Sequence, residues 1–253
     1  MVPPDRASPD RVILVTGAAS GIGLATAMRL ATEGAARLVL VDRDADALAR
    51  IDMPCSIDLL PGDVADEAFW DAASPYLGGL TGAVVNAGVA GGGMIADLSL
   101  AEWRRVLSVN LDGAFLTLRA ALRAMTGAGA IVAVASATAL KAEAGTGAYA
   151  ASKAGLMQLV RVAAKEGAAR GLRVNAVAPG GVATPIWDSA PFFAARARKL
   201  GRDAALAEMA AASTPLGRFA TAEEVAGQIA FLLSDAAASM TGSVLVGDGG
   251  YSL

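Results

Sequence analysis

Residues 12–33 read VILVTGAASGIGLATAMRLATE. An aliphatic, β-branched run at 12–15 passes through glycines into an Ala-rich segment of helical period, so the glycines sit where a buried strand turns sharply into a helix N-terminus. Gly17 permits the turn. Gly21 and Gly23, on either side of Ile22, let the backbone approach a ligand and let the helix pack close to the strand. The unpaired N–H groups and positive dipole end of the helix then attract anionic oxygens. The loop, which also contains Ser20, reads as a pyrophosphate site.

Outward from this segment, short aliphatic runs alternate with longer Ala-rich stretches. Strands are expected at 12–15, 38–41, 57–60, 83–85, 130–135, 173–177 and 243–246. Helices are expected after Gly21, from Ala45, and over 67–73, 100–125, 149–170 and 222–233, the last with Thr221 as N-cap and Glu224 completing a capping box. Such alternation gives a doubly wound α/β domain: a seven-stranded, mostly parallel sheet with helices on both faces. Residues 1–10 read as a flexible tail and 11–253 as one domain. Within it, residues 184–216 break the rhythm with Pro185, Pro191 and Pro215 among Trp187, Phe192 and Phe193, and read as a substrate-binding lid.

Composition removes many function classes. The chain has no histidine, which excludes Ser-His-Asp and Cys-His catalysis and every histidine metal site. Its one cysteine, Cys55, cannot form an internal disulfide or a thiolate cluster, and no metal is expected. A net charge of -3 gives no reason to expect nucleic acid or an anionic membrane. Residues 74–96 carry no charge, but Pro75, Asn86 and several glycines make them turn, strand and loop rather than a membrane span. The N-terminus lacks an apolar run behind a basic flank, and a cytoplasmic location is the default.

The second expected strand runs into Asp42, about twenty residues past the glycine loop, where a carboxylate accepts hydrogen bonds from an adenosine ribose and repels a 2′-phosphate. NAD is therefore favoured over NADP, although Arg43 follows directly. On the helix near residue 149, Tyr149 and Lys153 stand four residues apart, placing phenol and ammonium on one face. A free tyrosine is a poor base at neutral pH, and a fixed cation beside it stabilises the phenolate. The pair can perform proton transfer.

Ser136 ends one strand, and Asn86-Ala87-Gly88 ends another. With these the sequence resembles the short-chain dehydrogenase/reductase family. It matches a Thr-Gly-x-x-x-Gly-x-Gly loop at 16–23, the Asn-Ala-Gly motif, the Ser136 with Tyr149-x-x-x-Lys153 group, and Pro179-Gly180 after the sixth strand. The resemblance runs from about Arg11 to the C-terminus and implies a Rossmann-type fold. It implies Tyr149 as general acid/base, Ser136 as a hydrogen-bond partner of the substrate oxygen, and Lys153 both lowering the Tyr149 pKa and holding the nicotinamide ribose. Asn110 would support a water relay to that lysine. Asp63 and Val64 would meet the adenine, Asn86, Ala87 and Gly88 would line the cofactor cleft, and Pro179, Gly180, Val182 and Thr184 would bracket the nicotinamide carboxamide. A homotetramer is the implied assembly. The sequence departs from the family at Val85, where an asparagine is usual, and in a compact segment between Asp42 and Asp63.

The expected activity is NAD-dependent interconversion of a secondary alcohol and its ketone. An NADP-dependent 3-oxoacyl reductase, with Arg196, Arg198 and Lys199 meeting an acidic carrier, shares the chemistry, and a non-catalytic NAD(H)-binding regulatory module shares the fold. Met94, Trp187, Phe192 and Phe193 are candidates for an apolar pocket wall or for simple lid packing. Lys141 and Glu143 stand between Ser136 and Tyr149, either as a polar substrate contact or as exposed loop charges.

Overall fold

The computed structural model describes residues 11–189 and 191–253; the tail read at 1–10 lies outside the described residues. Seven strands form one sheet: β1 (Val12–Thr16), β2 (Arg37–Asp42), β3 (Ser56–Pro61), β4 (Gly82–Val85), β5 (Gly129–Val134), β6 (Leu172–Pro179) and β7 (Val244–Gly247). Their spatial order is β3-β2-β1-β4-β5-β6-β7, and every pairing is parallel. The order reverses direction between β1 and β4, which opens a crevice at the carboxyl ends of the strands.

The helices are α1 (Gly21–Thr32), α2 (Ala45–Ala49), α3 (Glu67–Ala73), α4 (Leu100–Leu107), α5 (Ala114–Ala124), α6 (Gly147–Gly167), α7 (Pro191–Leu200), α8 (Arg202–Ser213) and α9 (Ala222–Leu233). Strand side chains alternate between faces. Ile13 and Val15 therefore pack with Leu30 of α1 and Ile229 of α9, while Leu14 packs with Leu118 of α5 and Leu156 of α6. Both layers are solvent-free at these positions, and truncating such a side chain to alanine costs about 2–5 kcal/mol. The capping box on α9 forms as expected, with the Glu224 N–H donating to Thr221 Oγ1 at 3.2 Å and the Thr221 N–H donating to Glu224 Oε2 at 2.9 Å.

Two expectations change. The single helix read over 100–125 is broken by one turn of π-helix, Ser108–Gly113, between α4 and α5. Residues 184–216, where the sequence breaks its rhythm, are largely helical: a 3-10 segment, Pro185–Ser189, then α7 and α8. Pro185 and Pro191 open their helical segments, where the missing N–H costs nothing.

Candidate active site

The end of β1 forms a cradle. Gly17 adopts a left-handed backbone, φ 67°, and a Cβ there would lie 2.8 Å from Asn86 Nδ2. At Gly23 a Cβ would fall 2.0 Å from the Gly17 carbonyl oxygen, so only glycine lets α1 seat against the loop. Ser20 is the N-cap of α1, its side chain makes no capping bond, and the first intrahelical bond is Leu24 N–H to Ser20 O at 3.2 Å. The N–H groups of Gly21, Ile22 and Gly23 precede it at the crevice mouth.

Asp42 closes the cradle from β2. Its Oδ2 accepts the Ala19 N–H at 2.9 Å and its Oδ1 accepts the Asp44 N–H at 3.0 Å, so the carboxylate is oriented against the glycine loop. Arg43 is exposed. From the other side, Asn86 Nδ2 donates to the Thr16 and Gly17 carbonyls at 2.9 and 3.2 Å. Thr16 Oγ1 accepts the Asn86 and Ala87 N–H groups and donates to Val84 O. Thr16, fully buried, is a site-building residue that the sequence reading quoted only as part of a motif. One strand-end hydroxyl gives no periodic signal by which to single it out.

The chemical groups converge on the next strands. Ser136 follows β5 and caps a short 3-10 turn, with Oγ accepting from the Thr138 N–H at 3.3 Å and from Thr138 Oγ1 at 2.9 Å. From across the crevice it also pulls the pKa of the Tyr149 phenol on α6 downward. One turn along α6, Lys153 is buried, and its Nζ donates to Val134 O at 2.8 Å and lies 5.9 Å from the Tyr149 ring centre. Burial pushes the Lys153 ammonium down to about 8. Burial also holds the Tyr149 phenol above its ordinary value, against the smaller downward pull of Ser136. The lowering expected from Lys153 does not appear in this arrangement, where the ammonium is turned to a backbone carbonyl and burial of the phenol dominates.

Asn110 is fully buried in the π-helical turn. Its Oδ1 accepts the Val89 N–H at 2.8 Å, and its Nδ2 donates to Val89 O at 3.0 Å and Ser152 Oγ at 3.2 Å. Ser152 in turn donates to the Tyr149 carbonyl. Asn110 therefore ties the loop after β4 to the helix that carries Tyr149. A Cβ on Gly88 would sit 3.3 Å from Asn110 Oδ1 and 3.4 Å from Lys153 Nζ, placing the Asn-Ala-Gly loop beside Lys153.

Beyond β6, Pro179 pairs with Gly247, and Gly180 abuts Asp248, where a Cβ would lie 2.8 Å from the Asp248 carbonyl. Val182 and Thr184 are buried, and Thr184 lies against Gly21, a Cβ on which would be 3.3 Å from Thr184 Cβ. The lid thus begins in contact with the glycine loop. Trp187 Nε1 donates to Val182 O at 2.7 Å, its ring stacks on Phe219 with centres 5.4 Å apart, and Phe193 is buried with Ala205 and Leu206. Of the two readings, Trp187 and Phe193 follow lid packing; the Phe192 side chain lies outside the described residues. Met94 and its neighbour Ile95 are exposed, and a Cβ on Gly147 at the start of α6 would be 3.3 Å from Ile95. Ile95 is a rim residue that the sequence reading missed.

Two groups lie apart from the catalytic cluster. Asp63 is exposed and accepts the Ala65 N–H, while the Val64 side chain is buried against Gly113. Lys141 donates to Tyr251 O at 2.7 Å with its ammonium 4.6 Å over the Tyr251 ring. Burial and then a hydrogen bond to Glu143 push Tyr251 up to about 12. These two loop charges grip the C-terminal segment, an outcome neither sequence reading named. Arg196 is paired with Glu208 across the lid, its Nε 2.9 Å from Oε2.

The residues fit a nicotinamide dinucleotide: a helix N-terminus and glycine cradle for phosphates, an oriented carboxylate for a ribose, and a Ser-Tyr-Lys cluster one strand away. Among the described residues no group of His, Cys, Asp and Glu could hold a metal ion, and no helix is long and apolar enough to cross a membrane.

Known proteins agree. The sequence family described as enoyl-(acyl carrier protein) reductase matches residues 17–252. The chain is 43% identical to cis-4-hydroxycyclohexanecarboxylate dehydrogenase of Sinomonas cyclohexanicum, over 96% of this chain and 97% of that protein. The crystal structure of levodione reductase superposes with a TM-score of 0.84 at 35% identity, covering 96% of this chain and 98% of that one. L-sorbose reductase from Gluconobacter frateurii, solved with NADPH and L-sorbose, superposes with a TM-score of 0.87 at 30% identity, covering 95% and 96%. The chain belongs to the short-chain dehydrogenase/reductase family and is an oxidoreductase of the nicotinamide-dependent kind.

Proposed function

We propose that this enzyme interconverts a secondary alcohol and its ketone with NAD, using Tyr149 as general acid/base. The observation that carries the reading is the cluster that brings Lys153 Nζ within 5.9 Å of the Tyr149 ring, with Ser136 acting on the same phenol. Bound in the cradle, the nicotinamide cofactor supplies a carbon that takes or gives a hydride. The protein supplies the rest. In the oxidative direction Tyr149 takes the alcohol proton at Oη, and Ser136 donates a hydrogen bond to the same substrate oxygen. In the reductive direction Tyr149 returns that proton to the ketone oxygen. Lys153, with a pKa of about 8, is a cation at pH 7 and favours the phenolate electrostatically.

Asp42 supports NAD over NADP, because its oriented carboxylate stands where a 2′-phosphate would bring two further negative charges. The L-sorbose reductase solved with NADPH makes this a property to be read from the residue rather than from the family. The apolar rim of Met94 and Ile95, together with relatives named for a hydroxycyclohexane acid and for levodione, supports an alcohol on a carbon ring. Exposed Phe115 on α5, Phe231 on α9 and Val246 on β7 support assembly with further copies, for which a homotetramer is the reading to check by light scattering.

The test is absorbance of reduced nicotinamide during incubation with cyclic, aliphatic, aromatic and sugar alcohols, with NAD and NADP in parallel. Turnover of a cyclic alcohol with NAD is the expected result. Equal use of NADP removes the Asp42 argument, and an unimpaired Tyr149→Phe variant removes the proposed chemistry.

A further inference from the structure

A hydroxyl has one proton to donate and two lone pairs with which to accept. At Ser136 a single neighbour addresses both lone pairs: the Thr138 N–H reaches Oγ at 3.3 Å and the Thr138 hydroxyl at 2.9 Å. The short 3-10 turn that Ser136 caps fixes this neighbour, since the Ala139 N–H donates to the Ser136 carbonyl at 3.1 Å. Two hydroxyls at this distance admit either direction of donation. Among the described residues, Ser136 Oγ is the acceptor within reach of the Thr138 hydroxyl, so donation from Thr138 satisfies both groups. The proton left on Ser136 then faces Tyr149, its remaining partner. Donation the other way would spend the Ser136 proton on Thr138 and leave Ser136 with only a lone pair to offer the substrate. A ketone oxygen can only accept, so that state is unproductive.

We propose that Thr138 is a positioning residue: by filling both lone pairs of Ser136 it commits the Ser136 proton to the oxygen that Tyr149 also addresses. The proposal rests on the roles given above to Ser136 and Tyr149. No covalent step involves Thr138, which acts through its two bonds to Ser136. Removing one donor to a reacting oxygen costs about 10²–10³ in kcat. Misdirecting it should cost part of that, about tenfold to hundredfold, with KM changed less than about threefold.

The experiment compares Thr138→Val, Thr138→Ser, Ser136→Ala and Tyr149→Phe in two readouts. One is steady-state oxidation of cis-4-hydroxycyclohexanecarboxylate with NAD. The other needs no substrate: phenolate absorbance of the cofactor-free protein is followed against pH, and the Tyr149→Phe curve is subtracted to isolate Tyr149. Thr138→Val should lower kcat, move the Tyr149 titration upward in the direction of Ser136→Ala, and leave the melting temperature near that of the parent. Thr138→Ser should restore both readouts; Thr138→Ala replaces the valine variant should that one not fold. Parental kcat and titration in Thr138→Val, alongside loss of both in Ser136→Ala, overturns the proposal alone. A serine variant as impaired as the valine variant does the same, because it assigns the effect to packing. If Ser136→Ala and Tyr149→Phe both keep the parental rate, the functional reading falls and takes the proposal with it. Should the probe alcohol not be turned over, the Tyr149 titration decides.

Discussion

The Asp42 carboxylate accepts the N–H of Ala19 at 2.9 Å, joining the end of β2 to the glycine loop after β1. The same carboxylate that shapes the glycine loop is the one proposed to face the adenosine ribose. Asp42→Ser should raise the KM for NAD about tenfold or more, equivalent to about 1.4 kcal/mol, and raise kcat/KM with NADP as the repulsion disappears. Parallel kinetics with both cofactors check this. A fall with NAD and no gain with NADP would assign Asp42 to the loop alone.

Gly23 has no room for a methyl group, because a Cβ would stand 2.0 Å from the Gly17 oxygen and 2.6 Å from Asn86 Nδ2. Gly23→Ala should cost about 1–3 kcal/mol of stability, the range for overpacking, and weaken NADH binding more than it lowers the melting temperature implies. Urea denaturation and fluorescence titration with NADH measure the two effects separately.

Catalytic direction should respond to pH. Burial holds Tyr149 above its ordinary value, so near neutrality it is a proton donor suited to ketone reduction. Oxidation needs the phenolate, and its kcat/KM should rise about tenfold per pH unit from pH 6 toward 8. Above pH 8 the rise should bend, because Lys153 loses its proton at about 8 and with it the charge that favours the phenolate. A flat profile for oxidation across this range would remove Tyr149 as the base.

Lys153 should leave a mark on stability as well. Its proton leaves the folded protein at about 8 and leaves an ordinary lysine at 10.5. Between these values the unfolded chain binds more protons, so stability increases as pH rises, by up to about 3 kcal/mol over the full window. The contrast between parent and Lys153→Met in urea denaturation at pH 7.5, 8.5 and 9.5 isolates this contribution. The parent should gain relative to the variant at each step.

Much of this was legible in the sequence, for identifiable reasons. Five of the strands are nearly continuous aliphatic runs, the mark of a sheet covered on both faces, and even the weaker run at β3, with Asp58 in its middle, pairs along the sheet edge. Ser136, Tyr149, Lys153 and Asn110 are brought together as spacing and resemblance led one to expect. Thr138 escaped notice because its role lies in where one hydroxyl points, which no spacing encodes. Lys141 and Glu143 look like solvated charges until the C-terminal Tyr251 arrives from more than a hundred positions away. The helices within 184–216 were not legible because its prolines look like breakers, whereas Pro185 and Pro191 begin helical segments. The π turn at Ser108–Gly113 gave no periodic signal, since one extra residue within a helix does not break the apolar pattern over 100–125; only its weak helix formers, Ser, Asn, Asp and Gly, hint at it.

That turn amounts to one residue more than an α-helix would use between the same two ends. Each residue of an α-helix advances the side chains by about 100°. Deleting one residue of Ser108–Gly113 would therefore let α4 and α5 close up as one regular α-helix, with Leu116 and Leu118 still on the sheet, while Asn110 would leave Val89 and Ser152. The surplus residue carries Asn110 out to the loop after β4 without disturbing how the helices on either side seat.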